Sequence, residues 1–479
     1  MIDYHYTIHH PAQMAAALSL FAATPQQIEV SRRRAGASAW GSGMTLDEYV
    51  QRDIDLQNSE CGRDGRYLTW VLAPRNDPHT LDFLCSCKTF RRAGLTARRN
   101  HNSPNSDSEP LIEPVECYGI AAVFTPPENR RKGYARLMMS LLHWVLAGNN
   151  FTSSGNIKFP SDIWGTPPAP PKEFGMGTAT LSALWSDVGD FYGRCGPDDV
   201  DDELSRSKNS GGWVIRGTRM TRWCPRRDAN TALMHADTGS DLHSHAGEWQ
   251  WLTQEEVNRL LIHDAERMKK DLRARWFEII SSNSTSSSKT KVLFTFLPSG
   301  GVEAFQRERL RRFWEKEKIV HWGVALSDPL GDLSTVRAFA TWTLDLRPPA
   351  PRTLIVTRLR CGSYSEESER SENDHEIQAQ ILCELLQKVW EYCSEHDVEA
   401  VEVWNFPLKL REVGYRCARQ WFVPSGPDGE EEFERTWHLP AFKWYGYGYG
   451  PSTINSTDSG LIVEEVEVEW VFNEKFCWC

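Results

Sequence analysis

The chain has 479 residues, 40% hydrophobic and 25% charged, with 54 Lys+Arg against 65 Asp+Glu and a formal net charge of −11. At roughly 100–200 residues per domain, that length predicts two to four domains, each with apolar material for its own core. An acidic balance without basic blocks argues against nucleic-acid partners and an anionic membrane surface, and there is no run of about 18 apolar residues to span a bilayer.

Met1 to His10 carries Asp3 and three His but no apolar stretch, so no secretory signal is expected. The closing Phe476-Cys-Trp-Cys479 is not a peroxisomal address. Twelve Cys are scattered along the chain, and the only close pairs, Cys85/Cys87 and Cys477/Cys479, have C-x-C spacing. That is not the repeated C-x2-C of a structural zinc site, so reduced, mostly buried thiols in a soluble cytoplasmic protein are expected.

In chain order, the first elements are a helix over about 11–23, a Trp-rich irregular region, and strands at Tyr67–Ala73, Phe83–Phe90 and Cys117–Phe124. Residues 99–109 read as a polar loop. Leu137, Met138, Leu141, Leu142 and Val145 then put one apolar face on a helix. Pro160 to Pro171 is too proline-rich for regular structure, and Ser281–Lys289 reads as a serine-rich linker.

The order then repeats: a helix near 255–275, and strands at Lys291–Phe296, Val320–Leu326, Thr335–Leu346 and Leu354–Leu359. An acidic loop over Gly362–Glu376, a helix at 374–392 and a strand at Val398–Trp404 follow. Antiparallel strands leading into strand–helix–strand units imply a mixed α/β fold. The expected division is 1–225, a polar linker at 226–250, and 251–479.

One segment carries chemistry: Cys117-Tyr-Gly-Ile-Ala-Ala-Val-Phe-Thr-Pro-Pro-Glu-Asn-Arg-Arg-Lys-Gly-Tyr-Ala135, directly before the amphipathic helix. Pro126-Pro127 stops the strand after Thr125. Small residues at Gly133 and Ala135 let a ligand approach the backbone. The helix N-terminus offers N–H groups and a positive dipole end, and Arg130, Arg131 and Lys132 add charge. That is an anion site, most naturally for a pyrophosphate. The plainer alternative is a solvated basic turn.

The segment resembles motif A of the GNAT acetyltransferase superfamily, Arg/Gln-x-x-Gly-x-Gly/Ala, which Arg130, Gly133 and Ala135 match. Asp190-Phe-Tyr-Gly-Arg-Cys-Gly196 resembles the superfamily's Phe-Tyr-x-x-x-Gly segment beside the CoA thiol. More narrowly, Trp40-Gly, Leu46-x-x-Tyr49, Cys85-x-Cys87-x-Thr-Phe-Arg91, Phe124-Thr-Pro-Pro-Glu128, Leu184 to Tyr192 and Val468 to Cys479 are similar to fungal lysine N-acetyltransferases of lysine degradation. The resemblance implies a GNAT-type N-terminal domain followed by a GNAT-like C-terminal domain. It also implies acetyl-CoA as co-substrate, no metal, and the ε-amine of free L-lysine as acceptor. Protein lysine acetylation and non-catalytic acyl-CoA binding are the alternatives.

On that resemblance Val123, Phe124, Thr125, Arg130, Arg131, Lys132, Gly133, Tyr134 and Ala135 hold acetyl-CoA, and backbone N–H groups near Val123 and Phe124 face the developing oxyanion. Tyr192 is the candidate acid for the leaving thiolate, against a plain core role. Many GNATs carry a Glu base about eleven residues before the motif's Arg; here that position is Gly119, so Glu116, reaching through a water, is the nearest candidate. A solvent-facing strand-end Glu116 is the other reading, and a carboxylate from the C-terminal half is equally open. The second half lacks the motif and is expected to bind no CoA. It is expected instead to close over the acceptor, with Glu399 or Glu402 as contacts, so a chain cut near Ser282 should keep acetyl-CoA binding. His235, Asp237, Asp241, His243 and His245 crowd one polar stretch, read as a loop rather than a metal site.

Overall fold

Two helices of the first half begin with the same local device. Thr24 and Thr45 accept a hydrogen bond from the N–H of Gln27 and Glu48, whose side chains reach back to the threonine N–H groups at 2.9 and 2.8 Å. These reciprocal caps start α1 (Pro25–Ala35) and α2 (Leu46–Asn58), where the Trp-rich stretch reads as irregular from sequence. Ahead of them Leu18–Ala22 is a strand, β1, not a helix. Its residues are covered on both sides: Leu18 and Leu20 join the core under the motif helix, while Phe21 packs on Val71 and Ala73. Two-sided burial removes the alternation that marks a strand. The computed structural model describes residues 15–479, apart from 42, 101–108, 155–156, 172–174, 199–210, 228–246, 283–289, 329–331, 363–371 and 447–465.

The chain continues through β2 (Tyr67–Pro74), β3 (Cys85–Arg98) and β4 (Leu111–Phe124), then α3 (Tyr134–Ser154), β5 (Leu181–Ser186) and β6 (Val214–Ile215). β7 (Arg219–Pro225), β8 (Glu248–Thr253), α4 (Gln254–Ser282), β9 (Thr290–Phe296), α5 (Ala304–Glu308) and α6 (Arg311–Lys316) lead into the second sheet's strands. These are β10 (His321–Ser327), β11 (Ala338–Asp345) and β12 (Thr353–Cys361), followed by α7 (Glu372–Glu395), β13 (Ala400–Trp404) and α8 (Leu408–Trp421). The described chain closes with β14 (Phe422–Pro424), β15 (Glu432–Glu434), β16 (Leu439–Trp444) and β17 (Val466–Trp470).

Two mixed sheets result. One runs β1-β2-β3-β4-β5-β16-β6, with β9 beside β3 and β17 beside β9; the other runs β14-β7-β13-β12-β11-β10-β8, with β15 on β7. Each contains a parallel pair with a helix in its crossover, β4–α3–β5 and β12–α7–β13, and β9 and β17 of the first sheet are also parallel. The mixed α/β class and the likeness of the halves thus hold.

Sheet membership does not follow the expected division at 225 and 250. β7 lies in the second sheet, while β9, β16 and β17 complete the first. A chain cut near Ser282 would leave β5 without β16 and β3 without β9. One core straddles the halves, running from Tyr67 and Phe90 through Phe305 to Trp470 and Trp478.

The last residues are anchored by polar bonds. Glu474 accepts from Arg358 and from the Leu359 N–H at 2.8 Å. Arg92 and Gln306 donate to the carbonyls of Cys477 and Trp478, each at 2.5 Å. The expectation of uniformly reduced thiols fails at one pair: α7 and α8 bring Cys383 and Cys417 to a Cα–Cα distance of 5.1 Å and a disulfide joins them. The other ten Cys are not in disulfides. No described helix is long and apolar enough to cross a membrane.

Candidate active site

The site begins with a defect in β4. Ser86 pairs with Phe124 and Lys88 with Ala121, so Ala122 and Val123 together face Cys87. This bulge puts Ala122 at φ 50°, a left-handed conformation uncommon for a residue with a Cβ. On the other edge, the parallel register with β5 ends at Ile120 and Leu184, although both strands run on. The two strands therefore part where β4 kinks, and a cavity of about 330 Å³ opens between them.

Beyond the bulge the motif segment turns into α3. Phe124 is buried edge-on to Trp40 at 6.0 Å, and Pro127–Asn129 forms a single 3₁₀ turn. Arg130 Nε donates to the Thr125 carbonyl at 3.1 Å, bracing the loop at its surface. Arg131 and Gly133 both have positive φ, 61° and 81°, and Lys132 lies exposed between them. A Cβ on Gly133 would meet nothing within 4 Å, so the space over this backbone is open. Tyr134 and Ala135 begin the helix half-buried, and Leu137 N–H donates to Gly133 carbonyl at 3.0 Å as the first α-helical bond. N–H groups ahead of it point outward. Exposed cations, an open glycine and a helix N-terminus fit a diphosphate.

The cavity wall comes from both halves. Ala121, Ala122, Val123 and Tyr192 face Phe305, Arg309, Arg347, His438, Trp478 and Cys479. Tyr192 sits on a 3₁₀ turn over Phe191–Arg194, reached through a loop held by Ser186 Oγ, which donates to the Gly189 carbonyl at 2.7 Å. Burial raises the Tyr192 phenol well above its usual range, so it is protonated at neutral pH.

Asp187 and His438 form a pair in the same wall. The His438 N–H donates to Asp187 Oδ1 at 2.7 Å, and Nδ1 lies 3.1 Å from that oxygen. Burial lowers the His438 pKa, partly opposed by the Asp187 bond, so the imidazole is neutral at pH 7. His438 has φ 47°, a second left-handed non-glycine residue in the wall.

The cavity wall also carries a group of charged side chains. Asp53 receives Lys88, Arg32 Nε at 2.7 Å and the Tyr67 hydroxyl at 2.8 Å. Burial would raise its carboxyl, but Lys88 and Arg32 prevail and hold it at about 2. Arg309 stacks on Trp478 at 4.5 Å. Burial, then Arg347 and Arg52, lower its pKa to about 9, leaving it charged.

The structure brings Val123 and Tyr192 together in the cavity; the 130–135 loop does not line it and follows Val123 in the chain by seven residues. It does not bring Glu116 there. That carboxylate lies part-way along β4, five residues before Ala121, 2.6 Å from Arg91 Nε, and accepts from the Tyr118 hydroxyl at 3.0 Å. Glu399 Oε2 accepts from the Arg352 N–H at 2.9 Å, outside the cavity. Glu402 lines a smaller adjoining cavity of about 180 Å³, which shares Arg309, Arg347 and His438 with the larger one. The His235–His245 cluster lies outside the described residues, and no group of metal-capable ligands gathers among the described ones. Sequence reasoning missed Asp187, His438 and Arg309, which come together only through contacts between the halves.

Residues 234–479, just over half of the chain, match the family model described as the LYC1 GNAT-like C-terminal domain. The chain belongs to that family. A lysine acetyltransferase of Yarrowia lipolytica is similar, 26% identical over 160 residues, which are 33% of this chain and 34% of that one. The matched stretch thus spans about a third of that relative's length. Among solved structures, a probable N-acyltransferase of Enterococcus faecalis V583 covers 90% of this GNAT chain and 74% of its own, at 7% identity and TM-score 0.41. A GCN5-related N-acetyltransferase from Kribbella flavida covers 92% and 76%, at 11% identity and TM-score 0.39. N-myristoyltransferase of Saccharomyces cerevisiae with bound myristoyl-CoA covers 94% and 87%, at 8% identity and TM-score 0.39.

Proposed function

We propose that this GNAT protein transfers the acetyl group of acetyl-CoA to the ε-amine of free L-lysine. The observation that carries the reading is the cavity where β4 and β5 part: one side is lined by the β4 bulge up to Val123, seven residues before the loop that begins at Arg130, and the other is walled by the second half. About 330 Å³ is near the lower end of ligand cavities, roughly 300–1,000 Å³. It suits a small acceptor whose alkyl stem lies against Phe90, Phe305 and Trp478. The similarity to a protein named lysine acetyltransferase supports that choice of amine.

In this reading the 130–135 loop holds the diphosphate of acetyl-CoA, which supplies the thioester. Lysine's side-chain amine, with a pKa of about 10.4, must lose a proton before attack. His438, neutral and oriented by Asp187, takes it in place of Glu116. The amine then attacks the thioester carbonyl; the C–N bond forms, the C–S bond breaks, and the nitrogen's second proton passes to solvent as the amide forms. Backbone N–H groups at the Ala122–Val123 bulge receive the charge that develops on the carbonyl oxygen. Tyr192 gives its proton to the departing thiolate and regains one through solvent from His438.

Thiol release from acetyl-CoA, followed with and without millimolar lysine, tests the reading. Lysine-dependent release with N6-acetyl-lysine as product is expected. Release only with a protein acceptor, or acetyl-CoA binding with no release, would overturn it.

A further inference from the structure

Two guanidiniums in the cavity wall are left without a side-chain anion. Four cationic side chains line it, Arg52, Lys88, Arg309 and Arg347, against two side-chain carboxylates, Asp53 and Asp187. Asp53 is committed to Lys88 and Arg32, and Asp187 to His438. Arg347 is neutralised by Asp345 through two bonds of 2.8 and 2.5 Å. Arg52 lies buried over the Tyr49 ring at 4.2 Å, with its Nε satisfied by no partner. Arg309 lies over Trp478. Among the described residues neither Arg52 nor Arg309 has an ion-pair partner.

Buried cations are normally paired, because desolvation costs more than packing returns. Here the two come from opposite halves, Arg52 on α2 and Arg309 just after α5, and converge closely enough to repel each other. Guanidinium is also the donor whose planar fork matches a carboxylate. We infer that Arg52 and Arg309 form an anchor for the α-carboxylate of the acceptor, so that the site selects free amino acids over amides, diamines and peptide-linked lysine. The anchor rests on the proposed transfer to lysine and adds what distinguishes its substrate class. It also gives the second half a defined task, since Arg309 is available only when the halves are joined.

The test compares L-lysine, lysinamide and 1,5-diaminopentane as acceptors for the full chain. The native protein should favour lysine over both carboxylate-free amines by about 100-fold in kcat/KM, a neutral amide leaving the two guanidiniums unpaired. Arg309→Gln should lower kcat/KM for lysine at least about tenfold, mainly through KM, with lysinamide nearly unchanged and the KM for acetyl-CoA unaffected. Arg309→Lys should restore part of the preference. Equal use of lysine and lysinamide by the native protein would overturn the anchor while leaving transfer to lysine intact, and needs no variant to fold. A rise in acetyl-CoA KM matching that for lysine would assign the guanidiniums to CoA instead. If no amine is acetylated, both the anchor and the proposed transfer fall.

Discussion

Gly133 offers a perturbation whose two costs separate. It sits at φ 81°, and a Cβ there would touch no atom within 4 Å. Valine would therefore not collide with the folded chain; its cost to folding is confined to the left-handed backbone, roughly 1–2 kcal/mol. The open space over that Cβ is where a diphosphate would rest on the loop amides. Filling it with a branched side chain should raise the acetyl-CoA Kd at least tenfold, about 1.4 kcal/mol. Gly133→Ala, with one methyl, should fall between the two. Calorimetric titration with acetyl-CoA, beside a denaturant melt of each variant, measures both quantities. A folded Gly133→Val protein with native Kd would refute the placement of the diphosphate on this loop.

Tyr192→Phe should lower kcat about 100-fold, the lower range for a lost general acid, with acetyl-CoA Kd unchanged; an unaltered kcat with chemistry rate-limiting returns Tyr192 to a packing role. The His438 imidazole should titrate below its ordinary value by NMR, and Asp187→Asn should move it lower still, because the carboxylate is what opposes burial; a titration above 6.5 contradicts that environment. Asp53 is held at about 2 against an ordinary 3.8, so its stabilisation, about 2 kcal/mol, is full above about pH 4 and lost as pH falls through 2. Asp53→Asn, which leaves Lys88 and Arg32 buried with their charge unpaired, should cost about 3–5 kcal/mol in equilibrium unfolding. A chain cut near Ser282 should fail to give a cooperative melt, since β9, β16 and β17 leave the first sheet; a cooperative melt would show that the first half closes its sheet alone.

The elements that could be read from sequence are those whose neighbours are near in the chain. The apolar face of α3 and the Pro-Pro stop after β4 are local patterns, and they located the motif segment. The capping boxes at Thr24/Gln27 and Thr45/Glu48 were equally local signals, and they mark α1 and α2 where composition suggested irregular chain. β1 was misread because burial on both sides erased its alternation. β16 could not be placed from its own residues: Leu439–Trp444 finds β5 across more than two hundred residues. The same distance hid the site's second wall. Nothing around Trp437-His438-Leu439 marks a base, and Arg309 reads as one more charge in a basic run. Glu116 was favoured for its place in the sequence, but a strand rises about 3.3 Å per residue, and the five residues to Ala121 carry it away from the bulge.

A crystal structure of the full chain with CoA and L-lysine bears most directly on the division of the cavity between the halves. The account predicts the diphosphate on the Arg130–Ala135 backbone and the thiol at the Ala122–Val123 bulge. It places the lysine ε-amine between His438 and that thiol, and the lysine carboxylate on Arg52 and Arg309. Lysine bound elsewhere, or lying in the cavity with its α-amine toward the thiol and its carboxylate away from both arginines, would contradict it.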